Sequence, residues 1–340
     1  MATNIHQHNK QFIGKFRTAL YDCDPTELKS QLQGIFASDC EIFLTNPFED
    51  LTGPDALFDL VYAPLLSAIP DLERRDFILT AGEASGHNWV GCAGHYMGVF
   101  EHPWLDIPPT RHIVGMRYHE FFRIADDQIV EMQAVWDIPQ IMMQAEAWPL
   151  SPSLGVDWLV PSPATQDGLT ITPDPEQATA SVEHILAMLN DMGKHPLSGG
   201  PEIMQLKKYW HPKMIWYGPS GIGSMRRIQG FRNWHQIPFL KALPDRHGAV
   251  SEADCFFGDG NYVSTTGWPN MQMTVSGDGW LGIAPGNQEI TMRSLDFWRM
   301  ENGLIRENWV LVDLLHVYAQ LGVDVFERMR EFTYARQPRS

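Results

Sequence analysis

The sequence predicts an α+β fold written twice, as two tandem domains that each set helices ahead of a curved antiparallel sheet. Three observations predict it. A hairpin near the C-terminal end recurs 176 positions earlier in the same residue types, Met292 matching Met116 and Asp313 matching Asp137. The stretch before each hairpin keeps one order: helices, a strand, a helix, then a meander of strands. A Pro-rich segment separates the copies.

The hairpin runs from Thr291 to Met300, turns through Glu301-Asn302-Gly303, and returns from Leu304 to Asp313. Both arms are rich in aromatic and β-branched residues, and Asn-Gly supplies the two positive-φ positions of a type I′ turn. Counting outward from that turn, Asp296 faces Trp309, Trp298 faces Glu307 and Met292 faces Asp313. Alternation puts these six on one face, and Arg293, Leu295, Phe297, Arg299, Arg306, Asn308, Val310 and Val312 on the other. Three carboxylates and two indoles on one face are odd content for a plain core. That face is the candidate site.

The earlier copy reads Met116-Arg117-Tyr118-His119-Glu120-Phe121-Phe122-Arg123, then Ile129-Val130-Glu131, then Trp136-Asp137. Glu120 stands in place of Asp296, Phe122 of Trp298 and Gln133 of Trp309. Ala68-Ile69-Pro70-Asp71 and Ala242-Leu243-Pro244-Asp245 close an amphipathic run ahead of each sheet. A period near half the chain means a duplicated domain and not a solenoid. The expected division is residues 1–148 and 176–340, with 149–175 as linker.

In order, Phe12, Phe16, Leu20, Leu28, Leu32 and Ile35 fall at helical spacing, with Asp24-Pro25 as a helix start. A strand at residues 40–44 ends at Asn46-Pro47, and Gly53-Pro54 opens a helix kinked at Pro64. Strands follow at about 75–81, 87–99, 112–124 and 129–137. The second copy sets helices at 176–192 and 200–210, a strand at 214–217 and a helix at 230–243. Strands at 249–257, 260–268 and 270–276 lead into the hairpin, and Asp313 begins a last helix.

With 340 residues, 44% of them hydrophobic, each copy is large enough for its own core. A net charge of −16 disfavours nucleic acid and anionic membrane as partners, since both need basic patches. Cys23, Cys40, Cys92 and Cys255 form no C-x-x-C and read as reduced thiols of a cytoplasmic protein. The first ten residues lack the apolar core of a signal peptide, and no apolar run approaches a membrane span. His211, His235, His247 and His316 show no metal-ligand spacing, so no metal is expected.

Both halves resemble the polyketide cyclase (SnoaL-like) branch of the nuclear-transport-factor-2-like superfamily. The residues carrying the match are Ala242 to Asp245, Trp280 to Gly286, Asp296 to Arg299, Gly303 to Trp309, and Asp313 with Gln320-Leu321-Gly322. In the first half they are Ala68 to Asp71, Gly98 through Thr110, and Glu120 through Asp137. The resemblance implies two NTF2-like, cone-shaped (α+β barrel) domains, each with a pocket between its bent sheet and its helices. It also implies cofactor-free acid-base chemistry on a small apolar or polyketide-like carbonyl compound: a cyclase, isomerase or lyase. The cyclases use a His and an Asp as neighbours on the last two strands. Here those places fall near Asp296 and Trp309, and near Glu120 and Gln133, so neither half keeps the His-Asp pair as such. The two halves are expected to dock as an intramolecular pseudo-dimer, and the superfamily also forms homodimers.

A buried carboxylate serves as a base near neutral pH when its pKa is raised, and Asp296 between indoles fits that need. Pairing with Arg293, Arg299 or Arg306 is the structural alternative. Asp313 is a second proton-transfer candidate, against a plain helix N-cap, and its counterpart Asp137 carries the same ambiguity. His235, on the helix before Pro244, is the candidate shuttle. Trp298, Trp309, Trp216, Tyr217, Trp268 and Trp280 are candidate pocket walls. Glu307 joins them as a binding residue, with Glu120, Tyr118 and Gln133 in the first copy. Two other readings stay open: a non-catalytic small-molecule-binding protein, and a hydrolase or hydratase using an Asp-activated water.

Overall fold

Apolar residues at helical spacing produce the two opening helices, Ile5–Tyr21 and Pro25–Ile35, whose Phe12, Phe16, Leu20, Leu28 and Leu32 are buried. Asp24 caps the second, accepting a hydrogen bond from the Thr26 N–H at 2.8 Å. The computed structural model describes residues 5–248 and 256–336. Strands β1 (Phe36–Leu44) and β2 (Asp50–Thr52) follow. A helical segment from Gly53 to Ala68 widens to a π turn at Phe58–Tyr62, ahead of Pro64, which cannot donate to the preceding turn. The meander is β3 (Glu73–Ala84), β4 (His87–Val99), β5 (Ile113–Ala125) and β6 (Gln128–Trp136).

After the linker, helix Pro175–Gly193 opens the second copy, capped by Asp174. The helix expected at 200–210 is instead a 3-10 turn, Pro201–Met204, and one short helical turn, Leu206–Tyr209. Next come β7 (Trp210–Tyr217), β8 (Met225–Arg226), and a helical segment from Arg227 to Ala242 with its own π turn, Arg232–Gln236, ahead of Pro238. Strands β9 (His247–Gly248), β10 (Phe256–Asp259), β11 (Tyr262–Thr265), β12 (Met271–Val275) and β13 (Gln288–Met292) lead to the hairpin of β14 (Ser294–Glu301) and β15 (Leu304–Val312). Residues 249–255, where the strand expected at 249–257 begins, lie outside the described residues, as does Cys255.

Each half holds a six-stranded sheet, β2-β1-β6-β5-β4-β3 and β10-β11-β14-β15-β7-β8, with helices on it. Neither sheet closes into a barrel, and neither is wholly antiparallel. β1 runs parallel to β6, and β7 parallel to β15, because the strand that enters each copy meets the strand that ends it. The expected single strand through 291–300 breaks at Arg293, and β13, β12 and β9 form a small separate sheet. Among the described residues no helix is long and apolar enough to cross a membrane.

The two large sheets pack face to face, burying Phe77, Phe121, Tyr217, Phe257, Phe297 and Trp309 between them. Phe121 and Phe297, equivalent in the two copies, stack at 5.0 Å. Each copy's last-strand aspartate crosses over. Asp137 accepts from the Ser220 N–H and hydroxyl, both at 3.0 Å, and Asp313 accepts from the Asn46 N–H at 2.9 Å. The buried Arg117 donates to the carbonyls of Tyr217, Gly218 and Val310. The linker is threaded along this seam, where the Pro161 carbonyl accepts from the Trp309 indole at 3.2 Å.

Candidate active site

Asn302 and Gly303 take φ values of 53° and 75°, so the type I′ turn forms as the sequence demands. Next to it, however, Met300 pairs with Ile305 and Arg299 with Glu307, leaving Arg306 as an extra residue on β15. That bulge shifts the register by one and turns every residue beyond it to the opposite face. Asp296 therefore pairs with Val310, and Trp298 with Asn308. Trp309 and Glu307 leave the candidate face, and Asn308, Val310 and Val312 join it. The same bulge recurs in the first copy, where Arg123 pairs with Glu131 and Ile124 with Ile129. Glu120 accordingly sits opposite Ala134, not Gln133.

A charge signal for the slip was present in the sequence. Counted from the turn alone, Arg299 would face Arg306, two like charges across a ladder. The shift lets Arg299 Nε meet Glu307 at 2.6 Å and Arg123 Nε meet Glu131 at 2.7 Å, the same ion pair in both copies.

The corrected face opens on a cavity of about 560 Å³. Asp296, Trp298, Asn308 and Val310 form its floor; Trp210 and Trp216 of β7 and Trp280 add indoles; Met188 and Met192 close it from the helix side. His235 reaches it from the π turn, stacked on Trp216 with ring centroids 4.1 Å apart. Burial pushes the Asp296 carboxyl up from 3.8 to about 7, although the Ser294 hydroxyl and the Arg117 charge pull it down. The Ser294 hydroxyl donates to Asp296 Oδ1 at 2.7 Å, and Asn270 holds the Ser294 backbone from both sides. Burial, and then the Arg246 charge, hold His235 down at about 3, so its imidazole is neutral at neutral pH.

The remaining sequence candidates have other places. Trp309 is fully buried between the sheets, stacked on Tyr217 at 5.2 Å. Glu307 accepts from the Tyr217 hydroxyl, the Ala164 N–H and Arg299, so it ties the linker to the sheet. Trp268 lies under the Arg293 guanidinium and beside Phe43 of the other half. Asp313 caps the helix Leu314–Gln320 through the His316 N–H at 3.1 Å and also meets Arg293 at 3.4 Å; it does not line the cavity. Asn308, Trp210 and Arg246 were missed: the first by the register slip, the others because their walls are contributed by distant strands and a loop.

In the first copy the matching interior is filled. Glu120 has no exposed surface, and it is bonded by Arg74 at 2.5 Å, the Tyr96 hydroxyl at 3.0 Å and the Trp136 indole at 2.8 Å. Tyr118 donates to Asp76 at 2.8 Å. Gln133 and Asp137 face the other half, Gln133 accepting from the Gly267 N–H at 2.9 Å. Counting from the Pro-Asp landmarks, Gly248 takes the place of Arg74; counting along the hairpins, Val312 takes that of Trp136. Both smaller residues line the cavity of the second copy. That exchange of bulk empties the space above Asp296.

Among solved structures, a candidate SnoaL-like polyketide cyclase from Jannaschia sp. CCS1 is 17% identical and matches 42% of this chain and 94% of its own, with a TM-score of 0.37. An NTF2-like protein from Burkholderia thailandensis E264 is 17% identical over 40% of this chain and 95% of its own, with a TM-score of 0.32. No functionally curated protein matches. The sequence profile described as SnoaL-like polyketide cyclase matches twice, over residues 15–145 and 201–321. With most of both halves covered by that profile, the chain belongs to the SnoaL-like polyketide cyclase family.

Proposed function

We propose that the C-terminal half is a cofactor-independent acid-base enzyme acting on a small apolar carbonyl compound, of the cyclase, isomerase or lyase type. One observation carries the reading: a carboxyl raised to about 7 on the floor of an aromatic cavity. At that value both protonation states are populated near neutral pH, so one group takes a proton and returns it.

In this reading the Asp296 carboxylate removes a proton from a carbon beside the carbonyl, and the electron pair moves onto the carbonyl oxygen as an enolate. The protonated Asp296 then returns the proton, to the same carbon, to another, or to an oxygen formed by ring closure. Ser294 fixes Oδ1 and leaves Oδ2 for the transfer. Asn308, held by its amide N–H to the Phe297 carbonyl at 3.0 Å, and the neutral His235 are the polar groups for the enolate oxygen. Asp313, engaged as a cap and a bridge, supports the fold in this reading and not the chemistry.

The test is solvent exchange. Cyclic and aryl ketones in deuterated buffer are followed by NMR for deuterium entering beside the carbonyl. The native protein is expected to accelerate exchange, and Asp296→Asn to abolish it while ligand binding persists. Binding without any exchange, unchanged by Asp296→Asn, would instead identify a non-catalytic binding protein.

A further inference from the structure

We infer that the cavity above Asp296 takes a ligand with a flat apolar body and one anionic group, and that Arg246 receives the anion. The inference deepens the reading of this cavity as the working site and names its ligand class.

Arg246 directly follows Pro244-Asp245, and the matching position in the first copy is Leu72, a buried core residue. The copy that keeps a cavity has thus exchanged a leucine for a guanidinium on the cavity wall. Arg246 Nη1 donates to the His195 carbonyl at 3.1 Å and Nη2 to the Met192 carbonyl at 3.0 Å, at the end of helix Pro175–Gly193. Both acceptors are carbonyls with only partial negative charge, so neither serves the guanidinium as a counter-anion. An arginine offers five N–H donors, and these two bonds leave donors to spare. Among the described residues no carboxylate offsets it: burial alone acts on its acidity and holds it down at about 10.

Charge bookkeeping around the cavity points the same way. The whole chain carries −16, yet among the described residues this wall holds Lys194 and Arg246 against a single carboxyl, Asp296. Lys194 is paired with Asp191 at 2.5 Å, which leaves Arg246 as the available cation of this wall among the described residues. A half-buried guanidinium is stabilised by a partner that brings both charge and acceptor oxygens, as carboxylates and sulfonates do. Trp210, Trp216, Trp280 and Trp298 supply the area for a flat apolar body. Docking the anion on Arg246 would hold one end of the compound while its carbonyl meets the proton-transfer group.

Two fluorescent probes share one aromatic body: 1-anilinonaphthalene-8-sulfonate carries a permanent anion, and N-phenyl-1-naphthylamine is neutral. Both are titrated into the full chain at pH 6, where Asp296 is mostly protonated. The expected result is that Arg246→Gln weakens the sulfonate about tenfold and the neutral probe less than about twofold. Val312→Trp, which restores the first copy's bulk, should expel both and so locate them in the cavity. Equal effects of Arg246→Gln on the two probes, no effect on either, or failure of the native protein to hold the sulfonate would overturn the inference. So would sulfonate binding that survives Val312→Trp in a folded variant. Asp296→Asn is run alongside in the solvent-exchange assay. Loss of solvent exchange in that variant tests the proton-transfer reading separately, so the two fail independently.

Discussion

Asp296→Asn should stabilise the protein, and only above a particular pH. The carboxyl titrates at 3.8 when unfolded and at about 7 in the cavity. Between those values the folded chain keeps a proton that the unfolded chain has released, so this group makes stability fall as pH rises. The loss is complete above pH 7. The displacement from 3.8 to about 7 sets an upper bound of about 4 kcal/mol. Asp296 keeps partial contact with the cavity, so roughly half of that is the working figure. Asparagine, uncharged at every pH, avoids the cost. Urea unfolding of both proteins at pH 4 and pH 8 gives the difference directly, since the shared histidines cancel. The variant should match the native protein at pH 4 and exceed it by about 2 kcal/mol at pH 8. A difference that does not grow with pH would refute the assignment of a raised acidity to this residue.

Three further expectations concern the frame around the site. His95, His119 and His235 are held below the usual histidine range, chiefly by burial. They are neutral when folded and take up protons on unfolding below about pH 6.5, so stability should drop towards pH 4, by up to ~1.4 kcal/mol per pH unit for each ring. Urea midpoints that stay level from pH 6.5 to 4.5 in the Asp296→Asn background would contradict this. Trp309→Ala should cost about 3–5 kcal/mol by opening the inter-sheet core. It should leave neutral-probe affinity unchanged in the folded fraction, whereas a cavity wall residue would alter both. Asp313→Ala strips acceptors from the Asn46 and His316 N–H groups and from Arg293, for a loss of about 2–3 kcal/mol. Solvent exchange per folded molecule should survive it, and its disappearance would restore Asp313 to the chemistry.

Much of the fold was readable because its signals are local or repeated. Asp24-Pro25 and Asp174-Pro175 start helices through bonds to their own first turn. Asn302-Gly303 forms its turn because few other pairs tolerate two positive φ values. The shared Pro-Asp landmarks and hairpins exposed the duplication without any structure. Of the sequence candidates, Asp296, Trp298, Trp216, Trp280 and His235 line one cavity. Trp309, Glu307 and Trp268 do not, and the common cause for the first two is one residue, Arg306.

Sequence alone, then, determined that the chain is two copies of one α+β unit, where the hairpin turns, and which residues its two arms carry. Periodicity and turn chemistry act over a few residues and survive being read in one dimension. Tertiary structure decided which side of the hairpin each residue beyond the bulge faces, because a strand's side chains alternate and one extra residue inverts them all. It also decided which copy is hollow. Arg74 and Trp136 fill the interior of one half, while Gly248 and Val312 leave the other open, and the volume between distant strands belongs to no single segment of the chain.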